Sequence, residues 1–461
     1  MNKQRPKISL QEGIIVLLTL LSIMAAGIIG LGITPEVPIL FGIMLLIFWA
    51  WLRGFSWDDI HESFSIGIKN GIVPLFIFLL IGALIGVWIA TGIIPSLMVF
   101  GFKLISIRWF LPSVFVVCAI VGSIIGSAFT IISTLGIAFM GIGLTMGINP
   151  AMVAGAVLSG AVFGDKSSPL SATNNLSAAV ADADLIDHIK NIMWSTLPAS
   201  VVAFILYALM SQGNGHADLH RIQGTIQTLH QNFNITPWAI IPVILLFICA
   251  WSKIPTIPTL FINIVVSSGI GMIQDHRLNL VRLNDVIQNG YVARTHNPQV
   301  DTLLTRGGIA GMMGTMSLIF VALALGGILM HLGIVDAVIS PLTKRLKSDG
   351  NLITTVIATC IGVNIFIGEQ YLSIILPANA FKKTFAENNL APVALSRALE
   401  DGGTVINYLV PWGVAGAFVT NALGVPTIHY LPFVFVSLFS PVFSIISAYT
   451  GIGIKHLKPV K

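Results

Sequence analysis

Residues 164–175 read Gly-Asp-Lys-Ser-Ser-Pro-Leu-Ser-Ala-Thr-Asn-Asn and lie between two long apolar runs. A carboxylate, an ammonium group, hydroxyls, amides and a proline thus interrupt a chain whose neighbouring segments carry almost no charge. Backbone groups freed by such a break cannot face lipid, so protein or water must surround them. The stretch therefore predicts an interrupted membrane helix, whose oxygen atoms and loose helix ends offer a place for a small cation.

The composition is that of an integral membrane protein. Hydrophobic residues make up 55% of the 461 residues, charged residues make up only 9%, and the mean hydropathy is +0.90. Soluble domains carry about 25% charged residues. We predict an all-α polytopic membrane protein, because a bundle of helices satisfies its backbone groups within lipid.

Apolar runs long enough to cross a membrane recur along the chain, since about 20 helical residues span the hydrocarbon core. With shorter runs included, they predict about 11 to 13 membrane segments, among them interrupted helices or re-entrant hairpins. The clear candidates are 13–33, 71–91, 109–128, 130–147, 191–211, 307–334, 351–376, 404–424 and 430–450. The shorter or polar-flanked candidates are 37–52, 151–164, 237–251 and 256–273.

The formal net charge of +5 is not gathered into one basic face, so lipid is an expected partner and nucleic acid is not. The cations cluster at the two ends of the chain. By the positive-inside rule both termini are predicted to be cytoplasmic, in a multi-pass protein of a bacterial inner or plasma membrane. The residues behind this prediction are Lys3, Arg5 and Lys7 at one end and Lys455, Lys458 and Lys461 at the other.

Two regions of the sequence look alike, which predicts an internal duplication. Three matches occur in the same order, two at separations of 241 and 242 residues and the third about five residues shorter. We prefer inverted repeats, because they give alternating access naturally in secondary transporters. The matching pairs are Gly86–Ile94 with Gly327–Val335, Gly126–Ser133 with Gly368–Ile375, and Leu158–Asp165 with Leu395–Asp401.

The predicted organisation has five parts. It comprises N-terminal spans with an interfacial amphipathic helix at 1–70, a first repeat at 71–211, an inter-repeat linker with two spans and an amphipathic segment at 212–306, a second repeat at 307–450 and a cytoplasmic tail at 451–461. Corresponding breaks in the two repeats are the best sequence pointer to a transport site near the membrane midplane.

Three carboxylates stand out as candidate cation ligands. Glu369 lies in an otherwise uncharged apolar run, where an ionised side chain costs about 2.5–3.5 kcal/mol on insertion scales. Asp165 and Asp401 end the two matching Leu-Ser-x-Ala segments. Carboxylate, hydroxyl and amide oxygens suit sodium or protons better than a soft metal. The predicted sodium ligands are therefore Asp165, Glu369 and Asp401, with protonation of the same acids competing.

Polar residues around these acids complete the predicted ion or substrate site. They are Lys166, Ser168, Ser171, Thr173, Asn174, Asn364, Thr404 and Asn407. Structural alternatives remain open. Asp165 could cap a helix and pair with Lys166, and Glu369 could form a structural ion pair. The hydroxyls and amides could form a turn. His188 and His331 are candidate proton shuttles. For His331 an interhelical hydrogen bond is the alternative.

Four ordered motifs resemble the NhaC family of sodium/proton antiporters. They are Phe163–Ser171 with Asn174–Leu176, Asp301–Gly308, Glu369–Ile374 and Leu399–Thr404. The family also includes malate/lactate antiporters driven by the same ions. The resemblance implies the ion transporter superfamily, inverted repeats, hairpins and a homodimer working by an elevator-like movement. Ala172-Thr173-Asn174 and Gly403 depart from the pattern, which commonly has Asp-Thr-Thr and Ser.

These observations predict a secondary antiporter that exchanges cytoplasmic Na+ for external H+, without a cofactor. The alternative is a sodium- or proton-coupled transporter of an organic anion or amino acid, with Lys166 as the carboxylate anchor. An enzyme is not expected, because the sequence offers neither a nucleophile with its base nor a phosphate-binding loop of the Walker form.

Overall fold

The structure is a computed structural model that describes residues 6–104, 107–212, 219–275, 278–343, 346 and 348–457. These residues are predominantly helical, and strand pairing among them is limited to two isolated bridges, so the predicted all-α class is confirmed. In chain order their α-helices are α1 (Leu10–Met24), α2 (Glu36–Leu52), α3 (Trp57–Ala90), α4 (Ile93–Leu104), α5 (Phe110–Ile125), α6 (Ala128–Ile131), α7 (Ile137–Thr145), α8 (Pro150–Ser167), α9 (Ala172–Ala181), α10 (Leu185–Gln212), α11 (Leu219–Asn232), α12 (Ile240–Trp251), α13 (Thr256–Gln274), α14 (Leu280–Asn289), α15 (Pro298–Leu304), α16 (Gly308–His331), α17 (Ile334–Leu342), α18 (Asp349–Ile367), α19 (Gln370–Glu387), α20 (Pro392–Leu399), α21 (Val405–Asn407), α22 (Val414–Leu423), α23 (Thr427–Tyr430) and α24 (Phe435–Thr450).

Several of these helices are long and apolar enough to cross a membrane. Among the described residues there are seven, or nine if each of two bent pairs is one span. The chain is therefore a multi-pass membrane protein. Four further apolar helices are shorter: Glu36–Leu52, Ile93–Phe102, Phe110–Ile125 and Val414–Leu423.

Helix starts follow the capping residues of the sequence. Ser9 and Glu12 form a capping box at the start of α1, and Ser56 and Asp59 form another at the start of α3. Each box satisfies N–H groups that a helix terminus leaves without intrahelical partners. The interfacial amphipathic helix predicted within 1–70 is not a separate helix, because α3 begins at Trp57 and continues without interruption to Ala90.

Helix boundaries recur at a constant separation of 242 residues. The helices that begin at Ala128 and Pro150 correspond to those that begin at Gln370 and Pro392. Helix α9 corresponds in both of its bounds to α22. The helix boundaries therefore share one separation, which is longer than that of the Leu-Ser-x-Ala match in the sequence. This separation places Asp165 opposite Asn407, and Asp401 opposite Ser159, so the two aspartates are not equivalent positions.

Glycines allow helices to approach closely at two crossings. A Cβ atom on Gly164 would lie 2.4 Å from the Cα atom of Gly122, where α8 packs against α5. A Cβ atom on Gly327 would lie 2.7 Å from the Cα atom of Gly67, where α16 packs against α3. Small residues at such crossings are typical of membrane helices that pack backbone to backbone.

Two predicted spans are broken rather than continuous. Residues 351–376 form α18 and the start of α19, which are separated by Gly368 in the left-handed conformation (φ +72°) and by Glu369. Residues 404–424 are interrupted between α21 and α22. Glycine adopts positive φ without steric cost, so Gly368 can end α18 where another residue would be strained.

Candidate functional site

A cavity of about 630 Å³ lies where four helix breaks meet. The breaks follow α5, α8, α18 and α21, and each contributes residues to the cavity wall. Segments from α3, α12 and α13 add further lining residues. The polar lining comprises Ser127, Thr130, Asp165, Thr173, Asn175, Lys253, Thr256, Thr259, Glu369, Gln370, Tyr371 and Tyr408. A cavity that unites helix breaks and carboxylates within a membrane protein is the expected form of a transport site.

Asp165 is buried and contributes to the cavity wall near the C-terminal end of α8. Its Oδ2 atom accepts a hydrogen bond of 3.3 Å from the Thr173 hydroxyl, which lies 3.0 Å from the Oγ atom of Ser171. The backbone N–H of Ala128, at the start of α6, also interacts with this carboxylate. Because α6 and α9 both begin here, their N-terminal dipoles offset part of the cost of a buried negative charge.

Glu369 is 1% exposed and caps the start of α19. Its Oε2 atom accepts a hydrogen bond of 2.8 Å from the backbone N–H of Leu372. Ser127 occupies the corresponding position in the first half, and its Oγ atom accepts a bond of 3.3 Å from the N–H of Thr130. The two halves thus use the same capping geometry, but only the second half places a carboxylate there.

The structure separates Asp401 from the cavity. Its Oδ1 atom lies 2.5 Å from the Nζ atom of Lys166 and 2.6 Å from the Oγ atom of Ser440. All three side chains are fully buried and come from different elements. Neither Asp401 nor Lys166 lines the cavity. Lys166 therefore pairs with Asp401 and not with its sequence neighbour Asp165.

Three predicted site residues hold the break between α8 and α9 in shape. The Asn174 amide nitrogen lies 2.9 to 3.1 Å from the carbonyl oxygens of Asp165, Lys166 and Ser168 and shares its two N–H donors among them. Ser168 ends α8, and Ser171 caps α9 through a bond of 3.4 Å from the N–H of Asn174. These bonds satisfy backbone groups at the two helix ends that meet in the break.

Asn364 and Asn407 fulfil the same task in the second half. The Asn364 amide donates to the carbonyl oxygens of Gly402 and Gly403 at 3.1 and 2.6 Å. Asn407 donates to Asn364 Oδ1 at 2.8 Å and accepts from the N–H of Ala415 at 2.9 Å. Asn407, the positional counterpart of Asp165, is thus engaged at both ends of its amide.

Glu400 is a buried acid next to the predicted ligand Asp401. Its Oε1 atom accepts a hydrogen bond of 2.9 Å from the Ser177 hydroxyl, and the hydroxyl of Thr404 lies against the same carboxylate. The sequence signal for Glu400 is the pair of adjacent acids in an apolar context. The Leu-Ser-x-Ala match ends at Asp401 and so favours that residue, but this match differs from the constant helix register.

The two histidines singled out in the sequence have different surroundings. His188 is buried, and its Nδ1 atom lies 2.7 Å from the Oγ atom of Ser396. His331, at the end of α16, lies 3.4 Å from the Glu62 carboxylate on α3, which is the interhelical contact considered above. Neither histidine lines the cavity.

The motif at Asp301–Gly308 lies apart from the cavity. The backbone N–H and the hydroxyl of Thr295 donate to Asp301 at 2.7 Å each, and these bonds hold the pKa of Asp301 below its ordinary value. Arg306 donates a bond of 3.1 Å to the carbonyl oxygen of Ala422, near the end of α22. A cation at a helix C-terminus is stabilising, so this motif anchors the inter-repeat segment to α22.

Comparison with known proteins links this architecture to one family. A family model described as the Na+/H+ antiporter family matches residues 10–173 and 160–452. The Na+/H+ antiporter NhaC of Alkalihalophilus pseudofirmus is 39% identical over 442 residues, which cover 95% of this chain and 96% of that protein. NhaC of Bacillus subtilis is 36% identical over 93% of this chain and 95% of its own. The malate-2H+/Na+-lactate antiporter of B. subtilis is 31% identical over 96% of both chains.

Proposed function

The chain belongs to the Na+/H+ antiporter family, and we propose that it exchanges cytoplasmic Na+ for external H+ at the cavity that Asp165 and Glu369 line. It is a sodium/proton antiporter and not an enzyme. The observation that carries the site assignment is the position of these two acids: each comes from a different helix break, and both contribute to one cavity.

Competition for shared oxygens couples the two ion flows. A sodium ion in the cavity would be held by the carboxylates of Asp165 and Glu369 and by neighbouring hydroxyls such as that of Thr173. Protonation removes the negative charge and occupies an oxygen that the ion needs. Each carboxylate therefore carries either a proton or part of a sodium site, so alternating access moves the two ions in opposite directions.

The alternative is transport of an organic anion or amino acid, with Lys166 binding the substrate carboxylate. The contacts of Lys166 do not support this role. Lys166 is engaged by Asp401 and Ser440 and is absent from the cavity lining. In the cavity a carboxylate substrate would meet two carboxylates of the protein, which repel it, against the single ammonium group of Lys253. This arrangement favours a cation as the transported species.

The membrane arrangement of the proposal has two inverted repeats and 11 to 13 segments. The constant separation of helix boundaries supports the duplication. The four shorter apolar helices would raise the seven spans to 11 and the nine to 13. An elevator-like movement and a homodimer complete the proposal, as the family resemblance implies.

Both termini are cytoplasmic in this proposal. Two contacts link the two ends of the chain to α17 and α18, which follow one another in the sequence. Helix α1 lies against α17 at Gly13, and His456 lies 2.8 Å from Asp349 at the start of α18. Lys7 and Lys455 supply positive charge at those ends, and both are exposed. The other four cations behind this prediction, Lys3, Arg5, Lys458 and Lys461, lie outside the described residues.

Substitution of Glu369 by Gln tests proton competition in the cavity. Glu369→Gln keeps size and hydrogen bonding but fixes a neutral side chain, so sodium binding should weaken by about 10-fold or more and lose most of its pH dependence. Glu369→Asp should keep partial exchange with an altered pH optimum. Sodium binding is measured by calorimetry between roughly pH 6 and 9, a range that brackets the competition.

The matched control lies at the other end of the same helix. Glu387 is exposed, and Glu387→Gln should leave both affinity and pH profile unchanged. A pH profile for Glu369→Gln identical to that of the unmodified protein would restrict Glu369 to capping α19.

A further inference from the structure

A second group of polar side chains lies between α9 and the segment 400–404, outside the cavity. Glu400 and Asn174 are fully buried, and Thr404 is 1% exposed. Oδ1 of Asn174 has no hydrogen-bond partner among the described residues, and the Thr404 hydroxyl has none beyond the Glu400 carboxylate that it lies against. The second oxygen of that carboxylate, Oε2, has no other partner among them. Buried oxygens are normally paired, so a cluster of unpaired ones calls for a ligand.

The packing of the elements brings these residues to one place. Helix α9 packs against α19, α20 and the segment 400–404. Ser177 reaches from α9 to Glu400 with a hydrogen bond of 2.9 Å. Asn174 lies one turn earlier on the same face of α9. Its amide nitrogen is occupied by three carbonyl oxygens at the end of α8, so its Oδ1 atom remains available.

No cation of the described protein pairs with Glu400. Lys166, which is near enough to interact with it electrostatically, bonds directly to Asp401 and Ser440. Arg397, one turn earlier on α20, donates to the carbonyl oxygen of Gly453 and to Ser447. A buried carboxylate without a paired cation is very costly unless it binds a proton or a metal ion.

We propose that Glu400, Thr404 and Asn174 form a second sodium site, separate from the cavity that Asp165 and Glu369 line. This inference rests on the proposed function only in taking sodium as the ion. Carboxylate, hydroxyl and amide oxygens are hard ligands and exclude soft metals by their chemistry.

The second site would be coupled to the first. When both carboxylates are ionised, Asp165 and Glu400 repel each other. A sodium ion at Glu400 would reduce this repulsion. The protein therefore binds two sodium ions when it is fully loaded, one in the cavity and one at Glu400.

The number of sodium ions bound to the purified full-length protein tests this inference. Equilibrium binding of radioactive sodium should give two ions per chain for the unmodified protein. Glu400→Gln should reduce the number to one, and Thr404→Val should weaken one of the two sites by about 10-fold, because each removes a ligand oxygen. Asp165→Asn should also leave one site, the one at Glu400. Thr359→Val is the matched control, since Thr359 is a buried threonine that bonds only within α18, and two sites should remain.

The outcomes separate the two proposals. The second site would be overturned, with the cavity site intact, if Glu400→Gln still bound two sodium ions. The same conclusion would follow if the unmodified protein and Thr404→Val each bound one sodium ion with the same affinity. Absence of sodium binding in the unmodified protein would overturn both proposals. Melting temperatures with and without sodium show whether Glu400→Gln is folded. If it is folded and sodium raises its melting temperature by half or less of the rise seen in the unmodified protein, the second site is supported.

Discussion

Asp165→Asn is expected to abolish sodium-driven proton movement in reconstituted vesicles. The variant keeps the shape of the side chain and its contact with Thr173, but it cannot carry a negative charge or a transferable proton. Removal of one preorganised charged group from a buried site reduces activity by about 100-fold or more. The measurement is the initial rate of proton flux after a sodium pulse, at equal amounts of folded protein.

Asp182→Asn provides a control of the same chemical change outside the cavity. Asp182 is exposed, ends α9 at φ +58° and pairs on the surface with Lys382. Asparagine tolerates this left-handed conformation, and surface ion pairs contribute little. Its exchange rate should stay within about two-fold of the unmodified protein. Normal exchange by Asp165→Asn would remove Asp165 from the ion site.

The second large effect is expected at the buried ion pair. Asp401→Asn leaves the ammonium group of Lys166 buried without a counter-charge, and the loss of one partner from a buried pair costs about 3–5 kcal/mol. We expect a much lower melting temperature in detergent and loss of exchange. The double variant Lys166→Met with Asp401→Leu should recover most of the stability, because apolar side chains of similar volume often replace a buried pair without loss.

Recovery of stability also shows what the pair does in transport. If the double variant is stable and exchanges sodium for protons, the pair is structural. If it is stable but inactive, the pair takes part in the transport cycle. A single variant Asp401→Asn as stable as the unmodified protein would contradict the burial and pairing described here.

The break after α8 could be predicted from the sequence, because residues 168–171 combine serine and proline between apolar runs. The break at Gly368 could not. Glycine is common throughout this chain, with 44 residues, so a single glycine in an apolar run does not distinguish a tolerated helix position from a helix end. Only the packing of the second half decides that Gly368 adopts positive φ.

The ion pair between Lys166 and Asp401 also lay beyond sequence reasoning. The two residues are 235 positions apart, whereas Asp165 is adjacent to Lys166. Adjacent residues on a helix point about 100° apart and do not face each other. Asp165 therefore lines the cavity while Lys166 points towards α24. Helical geometry therefore disfavours local pairing, and only the fold identifies Asp401 as the partner.

The most direct test of the account is a sodium pulse applied to proteoliposomes that contain only the purified protein, with a pH indicator inside and the membrane potential clamped. The proposed exchange predicts that external sodium enters as internal protons leave, so the lumen becomes alkaline without any organic solute, and that Asp165→Asn vesicles show no such change. Proton movement that requires added malate, lactate or an amino acid would contradict sodium/proton exchange as the primary function.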